Sequence, residues 1–183
     1  MTTADLLVHP LVDNAAHFAE RKHAGQVRKF GNEPYFYHCV AVAGLVWLVS
    51  REPEMIAAAM CHDVIEDCGV TQAELLAQTN TEVVRLVVGL TDVSRPEDGN
   101  REARKRKDRQ HLAEGDAKIQ TIKCADIIHN CIDITTHDPH FARVFLHEKR
   151  LLIDELLHAN KYLHAMAWSV VHEAQAHIWQ KTT

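Results

Sequence analysis

The sequence predicts an all-α protein, and three observations indicate this fold class. Apolar residues recur at the spacing of one helix face over long segments, for example from residue 83 to residue 90. The alternation of apolar and polar residues between turn dipeptides, which marks a half-buried strand, is missing. The five prolines fall where a helix begins or in a loop before one, where proline is tolerated.

The first half of the chain is predicted to contain five helices. Pro53 opens the third of them, because its fixed φ suits the first turn of a helix. Thr71 and Glu74 have the spacing of a capping box, so a helix is expected to begin there. Thr79 and Glu82 repeat this spacing and predict another helix start. The predicted helices cover residues 11–23, 37–49 and 53–67, and two more begin near residues 71 and 79.

The second half is predicted to contain four more helices after a polar loop at residues 94–100. Asp116 is placed to cap the second of them. We expect one domain over residues 1–183, since this length fills one ordinary domain and is short for two. The expected core covers about residues 10–135, and additional C-terminal helices cover about residues 140–180. The four predicted helices cover residues 101–114, 117–134, 140–158 and 161–180.

Composition excludes several classes of protein. Hydrophobic residues make up 46% and charged residues 25%, which excludes a disordered chain. The five cysteines are odd in number and contain no CxxC pair, which favours a reducing compartment over a disulfide framework. Neither a signal peptide nor an apolar window long enough to span a bilayer is found, so we expect a cytoplasmic protein without a membrane partner. Histidine is unusually frequent, with 14 copies.

The segment from residue 61 to residue 67 is the most informative for chemistry. His62 and Glu66 are four residues apart, as are Asp63 and Asp67, so each pair shares a face if the segment is helical. The segment follows an apolar stretch, and burying so much charge without a counter-charge costs several kcal/mol. A divalent cation bound by His62 and Asp63 would offset that cost.

Two further metal ligands are predicted elsewhere in the chain. His38 begins a helix expected to be buried, and Asp126 lies in an apolar run where an unpaired carboxylate is out of keeping. This set of two histidines and two aspartates suits manganese, iron or zinc better than calcium or magnesium. The alternative is that His62 and Asp63 only pair with each other at a helix end. The adjoining carboxylates and the two remote ligands favour the metal.

These four residues, in this order, resemble the H…HD…D signature of the HD-domain metal-dependent phosphohydrolases. The resemblance is closest to the hydrolase domains of the RelA/SpoT type and covers roughly residues 13–134. It implies an HD-domain helical bundle with additional C-terminal helices. The matching segments are HDVIED at 62–67, KCADIIHN at 123–130, GQVRK at 25–29, PYFYH at 34–38 and VAVA at 40–43.

The resemblance also implies an activity. Hydrolases of this type remove the 3′-diphosphate from guanosine tetra- and pentaphosphate, (p)ppGpp, the alarmones of the stringent response. It implies a divalent metal, with manganese expected, and a catalytic role for Glu66 and Asp67, although which of them is the base stays open. No segment resembles a synthetase domain, so we expect a stand-alone small alarmone hydrolase. The implied metal ligands are His38, His62, Asp63 and Asp126.

The resemblance further implies contacts with a polyphosphate substrate. Arg28 and Lys29 are expected beside the nucleobase and the sugar. The run from residue 101 to residue 109 holds six basic and two acidic residues and concentrates positive charge, although a solvated helix face is the alternative for most of these side chains. The candidate substrate-binding residues are Arg28, Lys29, Arg104, Lys105, Lys123 and Asn130.

Two other functions remain open at this point. One is hydrolysis of another phosphorylated nucleotide, either (p)ppApp or the 2′-phosphate of NADPH. The other is a non-catalytic regulator that binds a nucleotide or RNA through residues 101–109, which the gathered carboxylates disfavour. We therefore expect a small nucleotide as the partner rather than a nucleic acid. The later histidines are expected on helices that close the core or mediate self-association.

Overall fold

A computed structural model describes residues 9–29, 32–137 and 139–180 of the chain. Across these residues the regular structure is helical, and the only strand-like feature is an isolated antiparallel bridge between Val27 and Pro34. The all-α prediction is therefore confirmed. None of the described helices combines the length and the apolar character needed to cross a bilayer.

The described helices are numbered here in chain order. A short 3₁₀ helix (Pro96–Asp98) lies between the sixth and the seventh. They are α1 (Pro10–Lys22), α2 (Phe36–Val49), α3 (Pro53–Met60), α4 (Val64–Cys68), α5 (Gln72–Gln78), α6 (Thr81–Leu90), α7 (Arg101–Ala113), α8 (Ala117–His137), α9 (Pro139–Ile153) and α10 (Lys161–Gln180).

The chain divides into two compact units, Met1–Thr91 and Asp92–Thr183. In the first unit α3 lies at the centre and packs against α1, α2 and α6. Its three consecutive alanines, residues 57–59, are fully buried. Because alanine adds little volume, neighbouring helices can approach α3 on several sides. This places the end of α3, where His62 follows, among buried residues.

In the second unit α8 packs against α9 and α10, and α9 also contacts α7. The core side of α8 is aliphatic, with Ile122 and Ile127 fully buried. Asp116 accepts hydrogen bonds from the backbone N–H groups of Lys118 and Ile119, which confirms the predicted cap of α8.

The single helix predicted over residues 53–67 is wrong. α3 ends at Met60 and α4 begins at Val64, with a turn between them. Cys61 and Asp63 have φ near −100° and ψ near 0°, outside the helical minimum. His62 and Glu66 therefore do not share the face of one continuous helix. Asp67 is still one turn beyond Asp63, because its N–H donates to the Asp63 carbonyl at 2.8 Å.

Other predicted boundaries also differ from the structure, and α8 extends to His137 rather than to residue 134. Asn80 rather than Thr79 caps α6, since its side chain accepts from the N–H of Val83 while the Thr79 hydroxyl donates back to the Leu75 carbonyl. The helix predicted to end at residue 158 ends at Ile153. The capping box of Thr71 and Glu74 is confirmed, with both of its reciprocal hydrogen bonds present.

Candidate metal centre

Three predicted ligands of the first unit converge on one point. Nε2 of His62 lies 3.1 Å from Nε2 of His38 and 2.8 Å from Oδ2 of Asp63. The third distance, from His38 Nε2 to Asp63 Oδ2, is 3.6 Å. Metal–ligand bonds of about 2.1 Å place neighbouring ligand atoms roughly 3 Å apart, so the three atoms are spaced to share one ion.

The turn between α3 and α4 selects the form of His62 that can bind a metal. Its Nδ1 lies 2.8 Å from the carbonyl of Ala59, which belongs to the last turn of α3. Carbonyls of a last helical turn lack a helical donor, so this one can accept the Nδ1–H. With the proton on Nδ1, the lone pair of Nε2 is available for a metal. The turn that interrupts the predicted helix therefore lets the Ala59 carbonyl bind Nδ1 of His62 and leaves Nε2 for a metal.

Burial supports the same interpretation. The side chain of His38 is fully buried, that of His62 is almost so, and Asp63 is half-buried. The alternative from the sequence, a pair formed only by His62 and Asp63, explains the 2.8 Å contact between them. It does not explain why His38, which comes from α2, points its Nε2 at the same two atoms.

The structure gathers three predicted residues on α8 in the second unit. Asp126 is buried, and its Oδ2 lies 2.9 Å from Nζ of Lys123. Asn130 donates a short hydrogen bond to the other carboxylate oxygen. The three residues share one helix face because they are three and four positions apart. Lys123 and Asn130 therefore hold Asp126 in a fixed orientation.

The predicted catalytic carboxylates lie on α4. This helix directly follows the turn at residues 61–63, called the ligand turn because it carries His62 and Asp63. Glu66 and Asp67 are both exposed. Oδ2 of Asp67 accepts a hydrogen bond of 3.1 Å from Nε2 of Gln26. Arg28 is half-buried and Lys29 exposed in the loop that follows Gln26. The structure thus carries both carboxylates and both basic residues in the same unit as the histidines.

The positive charge of the basic run on α7, residues 101–109, is more fully paired with acidic side chains than its sequence indicates. Four of its six basic residues form ion pairs with acidic residues of the second unit. Lys105, a predicted substrate contact, lies 2.7 Å from Asp92. Burial would raise the pKa of Asp92, but Lys123 and Lys105 hold this pKa below its usual value. The four pairs are Arg101–Glu148, Lys105–Asp92, Lys107–Asp98 and Arg109–Glu155.

Arg104, the other predicted substrate contact on α7, is half-buried. Its Nε is buried and has no hydrogen-bond partner among the residues that the structure describes. Leaving a buried N–H group without a hydrogen bond costs free energy, so this donor favours the binding of an acceptor. Arg104 therefore differs from Lys105, whose charge is already paired.

The five cysteines are free thiols in the structure. Burial raises the pKa of Cys61, next to His62, to about 12. Cys124, on α8 near Asp126, has its pKa raised to about 12 for the same reason. A thiol that stays protonated at neutral pH is a poor metal ligand, since the thiolate is the ligating form. The cysteines beside the predicted ligands therefore serve as small packing residues.

Sequence reasoning missed several residues around the site. Tyr35 donates a 2.6 Å hydrogen bond to Oδ2 of Asp63, and Gln26 contacts Asp67 as described above. Both lie within the segments that resemble the RelA/SpoT-type hydrolases. Their only signal was position, because Tyr35 comes three residues before His38 and Gln26 two before Arg28. Lys149 on α9, whose pKa is lowered by burial of its ammonium group, was also missed.

Comparisons with known proteins identify the family of the chain. The family model described as HD domain matches residues 15–161. A probable guanosine-3′,5′-bis(diphosphate) 3′-pyrophosphohydrolase of Synechocystis is 34% identical over 145 residues, which cover 78% of this chain and 19% of the relative. A GTP pyrophosphokinase of Brucella suis is 27% identical over 190 residues, covering 93% of this chain and 25% of that protein. The chain thus spans about a fifth to a quarter of the length of these relatives.

Solved structures share the fold. A structure described as a metazoan ortholog of SpoT that hydrolyzes ppGpp and plays a role in starvation responses superposes with a TM-score of 0.78 at 22% identity, covering 94% of this chain and 97% of that one. A Listeria monocytogenes protein superposes with a TM-score of 0.62 at 18% identity, over 75% of this chain and 97% of that one. With the family model matching well over half of its residues, the chain belongs to the HD domain family.

Proposed function

We propose that the chain is a metal-dependent hydrolase that removes the 3′-diphosphate from (p)ppGpp, giving GDP or GTP and diphosphate. The convergence of His38, His62 and Asp63 on one point carries this proposal. The name of the Synechocystis relative, a 3′-pyrophosphohydrolase of the same nucleotide, supports the choice of substrate.

We further propose manganese as the metal and Asp126 of the second unit as its fourth ligand. The mixed nitrogen and oxygen donors of this set suit manganese, iron or zinc. The H…HD…D order of the four residues supports the assignment of Asp126. A bound divalent cation supplies Lewis-acid chemistry, because it lowers the pKa of a water ligand and polarises a phosphoryl oxygen.

The residues of the chain then have separate tasks. His62 presents Nε2 while its Nδ1–H is held by the Ala59 carbonyl. Glu66 or Asp67 accepts the proton of the attacking water, since both are exposed carboxylates directly after the ligand turn. The oxygen of that water bonds to phosphorus, the bond from phosphorus to the 3′-oxygen breaks, and the 3′-oxygen takes up a proton.

We assign different parts of the substrate to the basic and polar residues of each unit. We assign the nucleobase and sugar to Arg28 and Lys29 of the first unit, since a guanidinium can stack on a base. We assign the phosphates and the ribose to Lys123, Asn130 and the Arg104–Lys105 pair of the second. Among these, the buried Nε of Arg104, which has no hydrogen-bond partner within the described part of the chain, offers a donor to an anion.

The experiment is turnover of a nucleotide panel. The chain would be incubated with manganese and ppGpp, ppApp or NADPH, and the products separated by ion-exchange chromatography. We expect release of diphosphate from ppGpp, and its loss in Asp63→Ala and Glu66→Ala. Glu20→Ala removes an exposed glutamate of α1 outside the site and should behave as the unaltered chain.

The other outcomes are equally definite. Release of phosphate from NADPH alone, or of diphosphate from ppApp alone, would overturn the substrate and keep the metal chemistry. No turnover of any nucleotide, together with RNA binding that weakens as salt rises, would overturn the enzyme and favour a regulator.

A further inference from the structure

Tyr35 ties α2 to the ligand turn. Its hydroxyl donates to Oδ2 of Asp63 at 2.6 Å, the same oxygen that faces the two histidines. The ring of Tyr35 is also fixed, because it stacks on His23 with centroids 4.8 Å apart and meets His38 edge-on at 5.4 Å. A carboxylate oxygen has more than one lone pair, so this hydrogen bond leaves Asp63 able to bind a metal.

His23 and Gln26 continue the same network toward Asp67. His23 is buried at the end of α1, and its Nδ1 lies 2.7 Å from Oε1 of Gln26. With Oε1 facing the imidazole, the amide nitrogen of Gln26 faces Asp67 and donates to its Oδ2 at 3.1 Å. The buried imidazole thus sets which end of the Gln26 amide the catalytic carboxylate meets.

We propose that Tyr35, His23 and Gln26 form one positioning unit that orients Asp63 toward the metal and Asp67 toward the attacking water. The inference deepens the proposed function and rests on it, since that function makes Asp63 a ligand and Asp67 a candidate base. The unit has two arms: Tyr35 contacts Asp63, and Gln26 contacts Asp67. His23 supports both, because it stacks on Tyr35 and hydrogen-bonds Gln26.

The two arms have different energetic consequences. Asp63 is half-buried and has rotamers that turn its carboxylate away from the histidines, so a fixed donor reduces the entropy lost when the metal binds. Groups that orient metal ligands are typically worth about 10- to 100-fold in affinity or activity. Asp67 is exposed, and without Gln26 its carboxylate would sample orientations that do not face the water.

Tyr35→Phe tests the first arm without depending on activity. This variant keeps the ring and its stacking and removes only the hydroxyl. Calorimetric titration with Mn²⁺ should show an affinity about 10-fold weaker than that of the unaltered chain, with an unchanged thermal midpoint. Tyr37→Phe is the matched control, because Tyr37 is two residues away and 59% exposed, and its affinity should be unchanged.

Gln26→Glu tests the second arm. The variant keeps the size of the side chain and its acceptor for His23, but it replaces the N–H donor to Asp67 with a carboxylate oxygen. We expect kcat on ppGpp to fall about 10-fold or more while the Mn²⁺ affinity stays within 2-fold. A role in packing alone predicts that this isosteric change leaves kcat unaltered. Gln72→Ala, at an exposed glutamine of α5, serves as the control.

These results separate the inference from the proposed function. An unchanged Mn²⁺ affinity in Tyr35→Phe, or an unchanged kcat in Gln26→Glu, would overturn the positioning unit. If the unaltered chain hydrolyses no nucleotide, the proposed function fails. In that case a weaker Mn²⁺ affinity in Tyr35→Phe still upholds the Tyr35 arm.

Discussion

Asp63 in the first unit and Asp108 in the second are each approached by several polar groups, but these groups differ in kind. A single oxygen of Asp63 is approached by the Tyr35 hydroxyl at 2.6 Å and by Nε2 of His62 at 2.8 Å. The side chains around Asp63 are of types that bind metals or transfer protons, and they all approach its Oδ2. Such crowding is useful where that atom has a ligand to bind.

Asp108 is used to fold the backbone. Its Oδ1 accepts the N–H groups of Val93 at 3.1 Å and Ser94 at 2.8 Å, and its Oδ2 accepts the Ser94 hydroxyl at 2.9 Å. Both oxygens are satisfied, and they hold the loop that leads to α7. The hydrogen bonds are complete without any ligand.

The difference shows that burial alone does not identify a functional carboxylate. The side chain of Asp108 is 4% exposed and that of Asp63 is 18% exposed, so a search for buried charge would select Asp108 first. The chemistry of the partners reverses the order, because backbone amides indicate a structural role and imidazoles indicate a metal.

The largest expected effect comes from Asp63→Ala. Removal of a ligand should weaken Mn²⁺ binding by at least about 100-fold and abolish turnover. The thermal midpoint without metal should stay near that of the unaltered chain, since the carboxylate is half-buried. Calorimetric titration and a thermal scan on the same sample check both parts. Tight Mn²⁺ binding by this variant would remove Asp63 from the site.

Asp108→Ala should have the opposite profile. Its loss leaves three donors without an acceptor, which costs about 2–3 kcal/mol of the free energy of unfolding. The Mn²⁺ affinity of the folded variant should be unchanged. Urea titration measures the first effect, and calorimetry measures the second. A variant of unaltered stability with a weakened metal site would exchange the roles of the two aspartates.

A smaller effect, in the stabilising direction, is expected for a substitution of Lys149 in the second unit. Burial lowers the pKa of its ammonium group below the usual value near 10.5, with Lys123 adding to the effect, and it forms no ion pair with any residue that the structure describes. Lys149→Met should therefore raise the free energy of unfolding by about 1 kcal/mol at pH 7. Urea titrations at a series of pH values check this expectation.

The pH dependence of that gain has a definite sign. Between the lowered pKa and 10.5, the unfolded chain binds more protons than the folded chain, so the stability of the unaltered protein rises with pH. The advantage of Lys149→Met should be largest below the lowered pKa and shrink as pH rises through this window. An advantage that grows with pH would mean that the folded protein favours the charged lysine.

The smallest expected effect is that of Arg101→Ala on α7. Arg101 forms a two-pronged ion pair with Glu148, at 2.7 and 2.9 Å, but its side chain is 48% exposed. Exposed pairs contribute about 1 kcal/mol or less, and salt screens them. We expect a loss within this limit and an unchanged KM for ppGpp. A KM raised several-fold would give the basic run a direct part in binding substrate.

Local signals made much of the fold predictable. The capping box at Thr71 and the cap at Asp116 involve residues two or three positions apart, and both helix starts were correct. The turn at residues 61–63 was missed, since neither proline nor glycine marks it. The helices on either side of it pack against other parts of the first unit, α3 against α1, α2 and α6 and α4 against α1, and the sequence of the segment does not reveal these contacts.

The candidate site was predictable to the extent that residue identity carries its chemistry. Histidine and aspartate in an apolar setting indicated His38 and His62 because a buried charge needs a partner. Tyr35 and Gln26 have no such signal, and each acts on a carboxylate far along the chain, 28 and 41 residues away. Only the folded first unit brings these pairs together.

The most direct measurement is the count of histidine nitrogens on the bound metal. Pulsed electron paramagnetic resonance of the Mn²⁺-loaded chain detects coupling to each coordinated imidazole nitrogen. The convergence of His38 and His62 predicts two such nitrogens, falling to one in His38→Ala and in His62→Ala. A manganese signal without nitrogen coupling, or one that both variants leave unchanged, would contradict the metal centre.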